Sequence, residues 1–176
     1  MAGDFFSGKQ AARAELERRR RSLSPEEVRS KGEEARKRLL ALPFFRGVIA
    51  SYAPQPFEME PPAGVLPRVV RGQRELVFHF VEGELERGVL GIATPRPEWK
   101  VASAIDVFVV PGVGFGLDGS RLGRGAGYYD ATLVKHPAAV KVGFTFECCV
   151  VDRLPMEAWD VKMDWLVTEA RATKIA

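Results

Sequence analysis

The chain has 176 residues, 46% of them hydrophobic, with 26 Lys and Arg against 23 Asp and Glu and a net charge of +3. This length sustains a hydrophobic core without disulfides, and the composition excludes disordered, collagen-like and disulfide-stapled proteins. No apolar run approaches the about eighteen residues that cross a bilayer, and no signal-peptide apolar segment follows Asp4. We therefore predict one domain over residues 1–176, cytoplasmic and monomeric, with Cys148 and Cys149 as reduced core residues.

The basic excess lies at the N-terminus, where residues 1–40 hold eleven Lys and Arg against seven Asp and Glu. The stretch around Lys9 and Arg18–Arg21 is rich in Ala, Leu and Glu and predicts a helix. Ser24–Glu27 has the pattern of a capping box with Pro at the first helical position, which predicts a second helix to about Leu42. The four-Arg run has no interleaved aromatic residues, so a solvated helix face is favoured over a nucleic-acid surface.

Short apolar and β-branched runs separated by turn residues follow from Gly47 onward and predict strands. The predicted strands are Val48–Tyr52, Leu76–Val81, Ile105–Val110, Val140–Phe146 and Trp165–Thr168. Helices are predicted between them at 64–71, which Pro67 interrupts, and at 128–135, whereas 85–100 is loop or edge strand. This alternation predicts an α/β fold: a three-layer α/β/α domain with a mainly parallel central sheet, preceded by two N-terminal helices. Ligands of such sheets bind beyond the carboxyl ends of the strands.

The segment 111–130 directly follows the clearest strand and carries the chemistry. Glycines at 123, 125 and 127 allow backbone N–H groups to approach an anion closely, and Arg121 and Arg124 add positive charge. Asp130 is suited to hold a Mg²⁺ ion on phosphates, because Mg²⁺ usually takes one or two carboxylates together with phosphate oxygens. These residues indicate a nucleoside-triphosphate site.

Glycine-rich loops of this kind have three other interpretations. Gly114–Gly119 matches the dinucleotide fingerprint, but no helix is expected to begin at Gly119. No Gly-Lys-Ser or Gly-Lys-Thr follows the glycines, so the segment is not a Walker A loop. Composition alone also allows a glycine-rich surface loop without a ligand.

The loop resembles a known family signature. Pro111–Phe115 followed by Arg121–Asp130 is similar to the signature of the 5-formyltetrahydrofolate cyclo-ligases, also called methenyltetrahydrofolate synthetases. The resemblance extends over nearly the whole chain, to Lys9–Arg13, Glu58–Pro61 and Asp160–Asp164. It implies an enzyme that uses ATP and Mg²⁺ to convert 5-formyltetrahydrofolate to 5,10-methenyltetrahydrofolate, releasing ADP and phosphate.

The resemblance also implies roles for individual residues. The implied catalytic residues are Lys9, Arg13, Arg121 and Arg124. The residues implied to hold the nucleotide are Lys9, Arg13, Arg121, Leu122, Gly123, Arg124, Gly125, Ala126, Gly127, Tyr128 and Tyr129. The folate would contact Arg13, Ala53, Glu58, Arg124, Gly125 and Tyr128, and Asp130 and Asp160 would hold Mg²⁺.

Three residues depart from the family pattern. Pro61 stands where Thr is usual, Ala126 where Gly or Lys is usual, and Trp159 where many members have His or another polar residue. Two alternatives therefore stay open: a folate- or nucleotide-binding protein without turnover, and a cyclo-ligase-like enzyme for another N-formyl substrate. The sequence does not decide whether Trp99 and Trp159 belong to the core or to a ligand pocket.

Overall fold

The computed structural model describes residues 6–89 and 91–175; Asp4 lies outside these ranges. The helices are α1 (Lys9–Arg21), α2 (Pro25–Leu40) and α3 (Tyr128–Leu133), with a 3₁₀ turn at Glu147–Cys149. The strands are β1 (Ile49–Ala50), β2 (Leu66–Val69), β3 (Leu76–His79), β4 (Glu86–Arg87), β5 (Ala93–Thr94), β6 (Val107–Val110), β7 (Gly114–Gly116), β8 (Arg121–Leu122), β9 (Val140–Phe144), β10 (Val150–Val151), β11 (Trp165–Val167) and β12 (Ala172–Lys174). None of the described helices combines the length and apolar character of a membrane span.

The two N-terminal helices form where the sequence predicts them. The Ser24 hydroxyl accepts a hydrogen bond from the Glu27 N–H, and the Glu27 carboxylate accepts one from the Ser24 N–H, so the capping box is complete. Pro25 occupies the first turn, where its missing N–H is not needed. The four arginines at the end of α1 complement the negative end of its helix dipole.

A five-stranded sheet with strand order β1-β6-β9-β11-β12 forms the centre of the fold. Its first four strands are parallel, and only β12 runs antiparallel to its neighbour. Val107 and Val109 of β6 pack with α2 on one face, whereas Phe108 and Val110 pack with Leu133 of α3 on the other. A mainly parallel sheet covered on both faces confirms the predicted α/β fold.

Residues 64–71 were predicted as a helix, and this prediction is wrong. The chain there forms β2, which pairs antiparallel with β3 and places Pro67 opposite Phe78. Pro67 cannot donate the backbone hydrogen bond that a helix interior needs, and the neighbouring strand supplies the pairing instead. Residues 85–100, expected to be loop or edge strand, contain the β4–β5 hairpin, which the Thr94 hydroxyl ties to the Pro67 carbonyl at 2.9 Å.

Helix α1 is fixed against the β7–β8 pair, which extends from the carboxyl end of β6. Ala12 and Leu16 are fully buried against Val113 and Leu122. Gly114 leaves the space that Leu16 fills, since a β-carbon at this glycine would overlap the leucine side chain. This packing brings the N-terminal half of α1 to the carboxyl edge of the sheet.

Candidate active site

A cleft of about 1180 Å³ opens at the carboxyl edge of the central sheet. Its walls come from α1, the loop after β1, the strands β2 and β3, the β4–β5 hairpin, the glycine-rich segment with α3, and the turn at 157–161. All of the site residues implied by the family resemblance lie along this cleft. The fold therefore gathers into one place residues that are far apart in sequence.

Two cations of α1 enter the cleft one helical turn apart. The Lys9 ammonium donates to Glu157 Oε2 at 2.6 Å and to Asp160 Oδ2 at 2.7 Å. Burial alone would lower the pKa of Lys9, but the bonds to Asp160 and Glu157 outweigh it and the pKa lies above its usual value. The Arg13 guanidinium donates to the Gly123 carbonyl at 2.9 Å, which links α1 to the glycine-rich loop.

The glycine-rich loop needs glycine at two positions. Gly125 and Gly127 have φ angles of +102° and +72°, in the left-handed region that side chains rarely adopt. Ala126 between them has no such conformation, so its methyl group fits the loop without backbone strain. Leu122 packs its side chain into the core below α1, so only its backbone faces the cleft.

Arg121 and Asp130 form an ion pair within the floor of the cleft. Arg121 Nη2 donates to Asp130 Oδ2 at 2.7 Å, and the two side chains are 6% and 15% exposed. The other carboxylate oxygen of Asp130 accepts from the Val161 N–H at 3.1 Å. Among the described residues, the buried Arg121 Nε and Tyr129 hydroxyl find no hydrogen-bond partner. Burial raises the pKa of Tyr129, and the Arg121 charge beside its ring only partly opposes this.

Glu58 lines the cleft with a set of contacts different from that of Asp160. Its Oε1 accepts from Arg124 Nη2 at 2.8 Å, and its Oε2 accepts from the Gln55 N–H at 2.9 Å. The Glu58 side chain is 7% exposed, whereas Arg124 is half exposed. Ala53 and Tyr128 line the same cleft.

Each of the four predicted catalytic cations therefore has a partner within the protein. Lys9, Arg121 and Arg124 pair with acids, and Arg13 with a carbonyl oxygen. An anionic ligand such as a triphosphate must compete with these partners for the cations. In return, the partners hold the cationic side chains at the cleft before the ligand arrives.

Asp130 and Asp160 supply the donor atoms that fit Mg²⁺. The described residues contain no group of three or more His, Cys, Asp or Glu side chains suited to a metal ion. Two carboxylates are nevertheless sufficient for Mg²⁺ that arrives on phosphate oxygens, because this ion rarely takes an all-protein set of ligands. The donor set fits Mg²⁺ bound together with a nucleotide.

The four arginines at the end of α1, Arg18–Arg21, contact other residues of this chain. Arg18 and Arg19 donate to Glu15, and the buried Arg20 donates to the Gly112 carbonyl at 3.2 Å. Arg21 lies 5.9 Å from the ring centre of Phe57. These contacts favour a structural role for the run over a nucleic-acid surface.

Sequence reasoning missed several residues of the cleft. Glu157, Arg74, Val134 and the β4–β5 residue Ile92 line it, although none belongs to a motif. Trp159 also lines the cleft, whereas Trp99 does not belong to its lining. Arg74 and Ile92 reach the site only through the packing of segments distant in sequence, whereas Val134 and Glu157 lie within one turn of Asp130 and Asp160.

Comparison with known proteins agrees with this arrangement. A family model described as "5-formyltetrahydrofolate cyclo-ligase family" matches residues 6–169. The 5-formyltetrahydrofolate cyclo-ligase of Escherichia coli (strain K12) is 29% identical over 177 aligned residues, which cover 89% of this chain and 97% of that protein.

Two solved structures have the same fold. The NMR structure of Aquifex aeolicus 5,10-methenyltetrahydrofolate synthetase superposes with a TM-score of 0.82 at 33% identity, covering 95% of this chain and 92% of that one. A 5,10-methenyltetrahydrofolate synthetase from Mycoplasma pneumoniae gives a TM-score of 0.73 at 25% identity, covering 92% and 98%. The chain belongs to the 5-formyltetrahydrofolate cyclo-ligase family and is an enzyme of the ligase class.

Proposed function

We propose that this chain converts 5-formyltetrahydrofolate to 5,10-methenyltetrahydrofolate, with ATP as co-substrate and Mg²⁺ bound at Asp130 and Asp160. The substrate and product are those named for its relatives from Escherichia coli and Aquifex aeolicus. The observation that carries the proposal is one cleft with a buried acid, Glu58, at one end and a glycine-rich loop with four cations beside it.

The proposed reaction has two steps. The formyl oxygen attacks the γ-phosphorus of ATP, so that a C–O–P linkage forms and ADP leaves. N10 then bonds to the formyl carbon and loses its proton, and the C–O bond breaks to release phosphate. Phosphoryl transfer to so weak a nucleophile depends on positioning and charge neutralisation more than on a strong base.

The residues of the cleft match these demands. Glu58 can accept hydrogen bonds from the amino and ring N–H groups of the pterin. Lys9 and the backbone of the glycine-rich loop would bind the triphosphate, and Arg13, fixed to Gly123, would lie between nucleotide and folate. Mg²⁺, when bound, supplies further neutralisation of phosphate charge.

Ligand binding on this scheme exchanges partners within the cleft. Lys9 would turn from Asp160 to phosphate, which frees a carboxylate for the metal ion. Arg124 would turn from Glu58, which frees the other carboxylate for the pterin. The Lys9 exchange replaces one ion pair with another, and Glu58 keeps hydrogen-bond donors as partners when Arg124 leaves.

An absorbance assay tests the proposal, because the methenyl product absorbs in the near ultraviolet where 5-formyltetrahydrofolate does not. Purified protein incubated with 5-formyltetrahydrofolate, Mg²⁺ and ATP should give a rise that needs all three components. Asp130→Asn should abolish the rise, whereas Asp152→Asn, an exposed aspartate outside the cleft, should leave it unchanged.

The same assay separates the competing functions. A folded protein that binds ATP but forms no product with any folate would be a binding protein and would contradict the proposal. Product from another N-formyl compound, with none from 5-formyltetrahydrofolate, would support the alternative substrate instead.

A further inference from the structure

Trp159 is the most exposed of the large hydrophobic side chains in the described part of the chain, at 69%, and it lines the cleft. Single exposed apolar residues are common and need no explanation by themselves. An indole ring at the mouth of a binding cleft is different, since it offers a broad flat π surface to whatever enters. Its position therefore points to a ligand.

The turn that carries Trp159 is closed by two hydrogen bonds between its own residues. The Asp160 N–H donates to the Glu157 carbonyl at 3.1 Å, and the Glu157 N–H donates to Asp160 Oδ2 at 2.7 Å. Before a ligand binds, Lys9 also contacts both acids. Trp159 thus lies at the tip of a closed turn, and a ligand would not have to order the backbone beneath the ring.

The contacts next to Trp159 indicate whether its ring lies nearer to the bound nucleotide or to the bound folate. Trp159 immediately precedes Asp160, the partner of Lys9, whereas Glu58 contacts Arg124 and Gln55. The next residue after Asp160 bonds to Asp130 through its N–H. Trp159 therefore lies beside the groups expected to hold phosphates and Mg²⁺.

A second apolar residue lies near this end. Val134 is 62% exposed, lines the cleft and follows Asp130 by one helical turn, so the two share a helix face. Exposed apolar side chains thus accompany both predicted metal ligands, Trp159 next to Asp160 and Val134 one turn after Asp130. A nucleoside triphosphate matches this surface, because its charged phosphates are attached through a sugar to a flat aromatic base.

We propose that Trp159 is the stacking platform for the purine base of the bound nucleotide. This inference rests on the proposed use of ATP and adds the residue that binds its base. Stacking on an indole face favours an aromatic base without reading its hydrogen-bonding edge. Lys9 and the glycine-rich loop would then fix the phosphates, and Trp159 the other end of the same ligand.

Tryptophan fluorescence tests the proposal without turnover. ATP added to the wild-type protein with Mg²⁺ should quench the fluorescence, whereas inorganic tripolyphosphate, which has no base, should bind without this quench. The quench should persist in Trp99→Phe, since Trp99 is not part of the cleft lining, and should disappear in Trp159→Phe.

Affinities measured by calorimetry provide the second readout. Trp159→Ala should weaken ATP binding by at least about fivefold, the low end for stacking of a base on an aromatic side chain. The affinity for tripolyphosphate and the KM for 5-formyltetrahydrofolate should stay unchanged. Trp159→Phe keeps an aromatic ring and should retain most of the ATP affinity.

Four results would overturn the inference. In Trp159→Ala, these are an unchanged affinity for ATP, an equal loss of affinity for tripolyphosphate and ATP, or a rise only in the KM for 5-formyltetrahydrofolate. The fourth is a fluorescence quench by ATP that persists in Trp159→Phe. If the wild-type protein fails to bind ATP at all, the proposed function fails together with this inference. If the wild-type protein binds ATP normally but the Trp159 variants change neither the fluorescence quench nor the ATP affinity, only this inference is overturned.

Discussion

Arg121 is a buried cation whose charge is balanced by one carboxylate. Its side chain is 6% exposed and pairs with Asp130. Removing one member of a buried ion pair leaves the other charge uncompensated, which costs about 3 kcal/mol or more. We therefore expect Asp130→Ala to lower the free energy of unfolding by about 3 kcal/mol in urea denaturation, in addition to its effect on catalysis.

Glu34 provides the control for this stability prediction. It pairs with Lys37 and Arg38 on the exposed face of α2, and such pairs contribute about 0.5 kcal/mol or less. Glu34→Ala should therefore leave the unfolding midpoint almost unchanged. Equal stability losses in the two variants would show that the Arg121–Asp130 pair does not hold the floor of the cleft together.

Glu58 allows the folate end of the cleft to be tested separately from the nucleotide end. Glu58→Gln removes the charge that should bind the pterin donors, and a hydrogen bond to a charged group contributes about 1.5–3 kcal/mol. We expect the KM for 5-formyltetrahydrofolate to rise about tenfold or more, with the KM for ATP unchanged. Steady-state kinetics with each substrate varied in turn measures both constants.

Glu60 is the matched control, since it lies on the same loop, is exposed and does not line the cleft. Glu60→Gln should leave both Michaelis constants at their wild-type values. A Glu58→Gln variant with an altered KM for ATP alone would place the nucleotide, rather than the pterin, at this end.

At the scale of elements, α1 is the segment that delivers Lys9 and Arg13, and Leu16 anchors it. Leu16→Ala should open a cavity under the helix and cost about 2–5 kcal/mol, because the leucine is fully buried. The looser helix should also raise the KM for ATP and increase hydrogen exchange of the α1 amides, although no site residue has been changed.

Leu39→Ala separates lost stability from lost positioning. Leu39 is equally buried but belongs to α2, which packs on the opposite face of the sheet from α3 and contributes nothing to the cleft lining. This variant should lose comparable stability with an unchanged KM for ATP. Parallel effects on KM in both variants would show that global stability, and not the seating of α1, controls nucleotide binding.

At the scale of the whole molecule, His136 should make stability depend on pH. The centres of the His136 and Phe108 rings are 5.1 Å apart. Burial lowers the pKa of His136 below the usual value of 6.5. As the pH falls through 6.5, the unfolded chain takes up a proton before the folded chain does, so the free energy of unfolding decreases.

Urea denaturation at several pH values between 5 and 7 measures this dependence. The decrease should be smaller in His136→Phe, which keeps an aromatic ring against Phe108 but cannot be protonated. An identical pH dependence in this variant would assign the acid sensitivity to other groups. Direct titration of the His136 ring by NMR should give a midpoint below 6.5.

The elements predicted well from sequence are those with a strong local signal. The uninterrupted apolar run of β6 and the capping box at Ser24 depend on neighbouring residues, and both formed as predicted. The strands β7, β8 and β10 were not predicted, since each has only two or three residues and so carries little periodic pattern. In addition, β10 exists through pairing with the distant β7. Residues 64–71, expected to form a helix, contain the strand β2, because Pro67 disfavours a helix interior and β3, the next strand, supplies the pairing.

The site shows the same division between local and distant information. The glycine-rich loop was predicted because its residues are contiguous. Lys9 pairs with Glu157 and Asp160, about 150 positions away in sequence, and no local sequence pattern predicts this contact. The sequence also does not predict that Arg121 is buried against Asp130, since a charged residue in a loop is ordinarily exposed.

The activity proposed for this cleft is transfer of the γ-phosphoryl group of ATP to the formyl oxygen. The most direct test uses 5-formyltetrahydrofolate labelled with a heavy oxygen isotope in the formyl group and mass spectrometry of the released phosphate. We predict that the label appears in the phosphate, one atom for each methenyl product formed. Unlabelled phosphate, with the heavy oxygen in water, would contradict the account, because ring closure would then not pass through a phosphorylated formyl group.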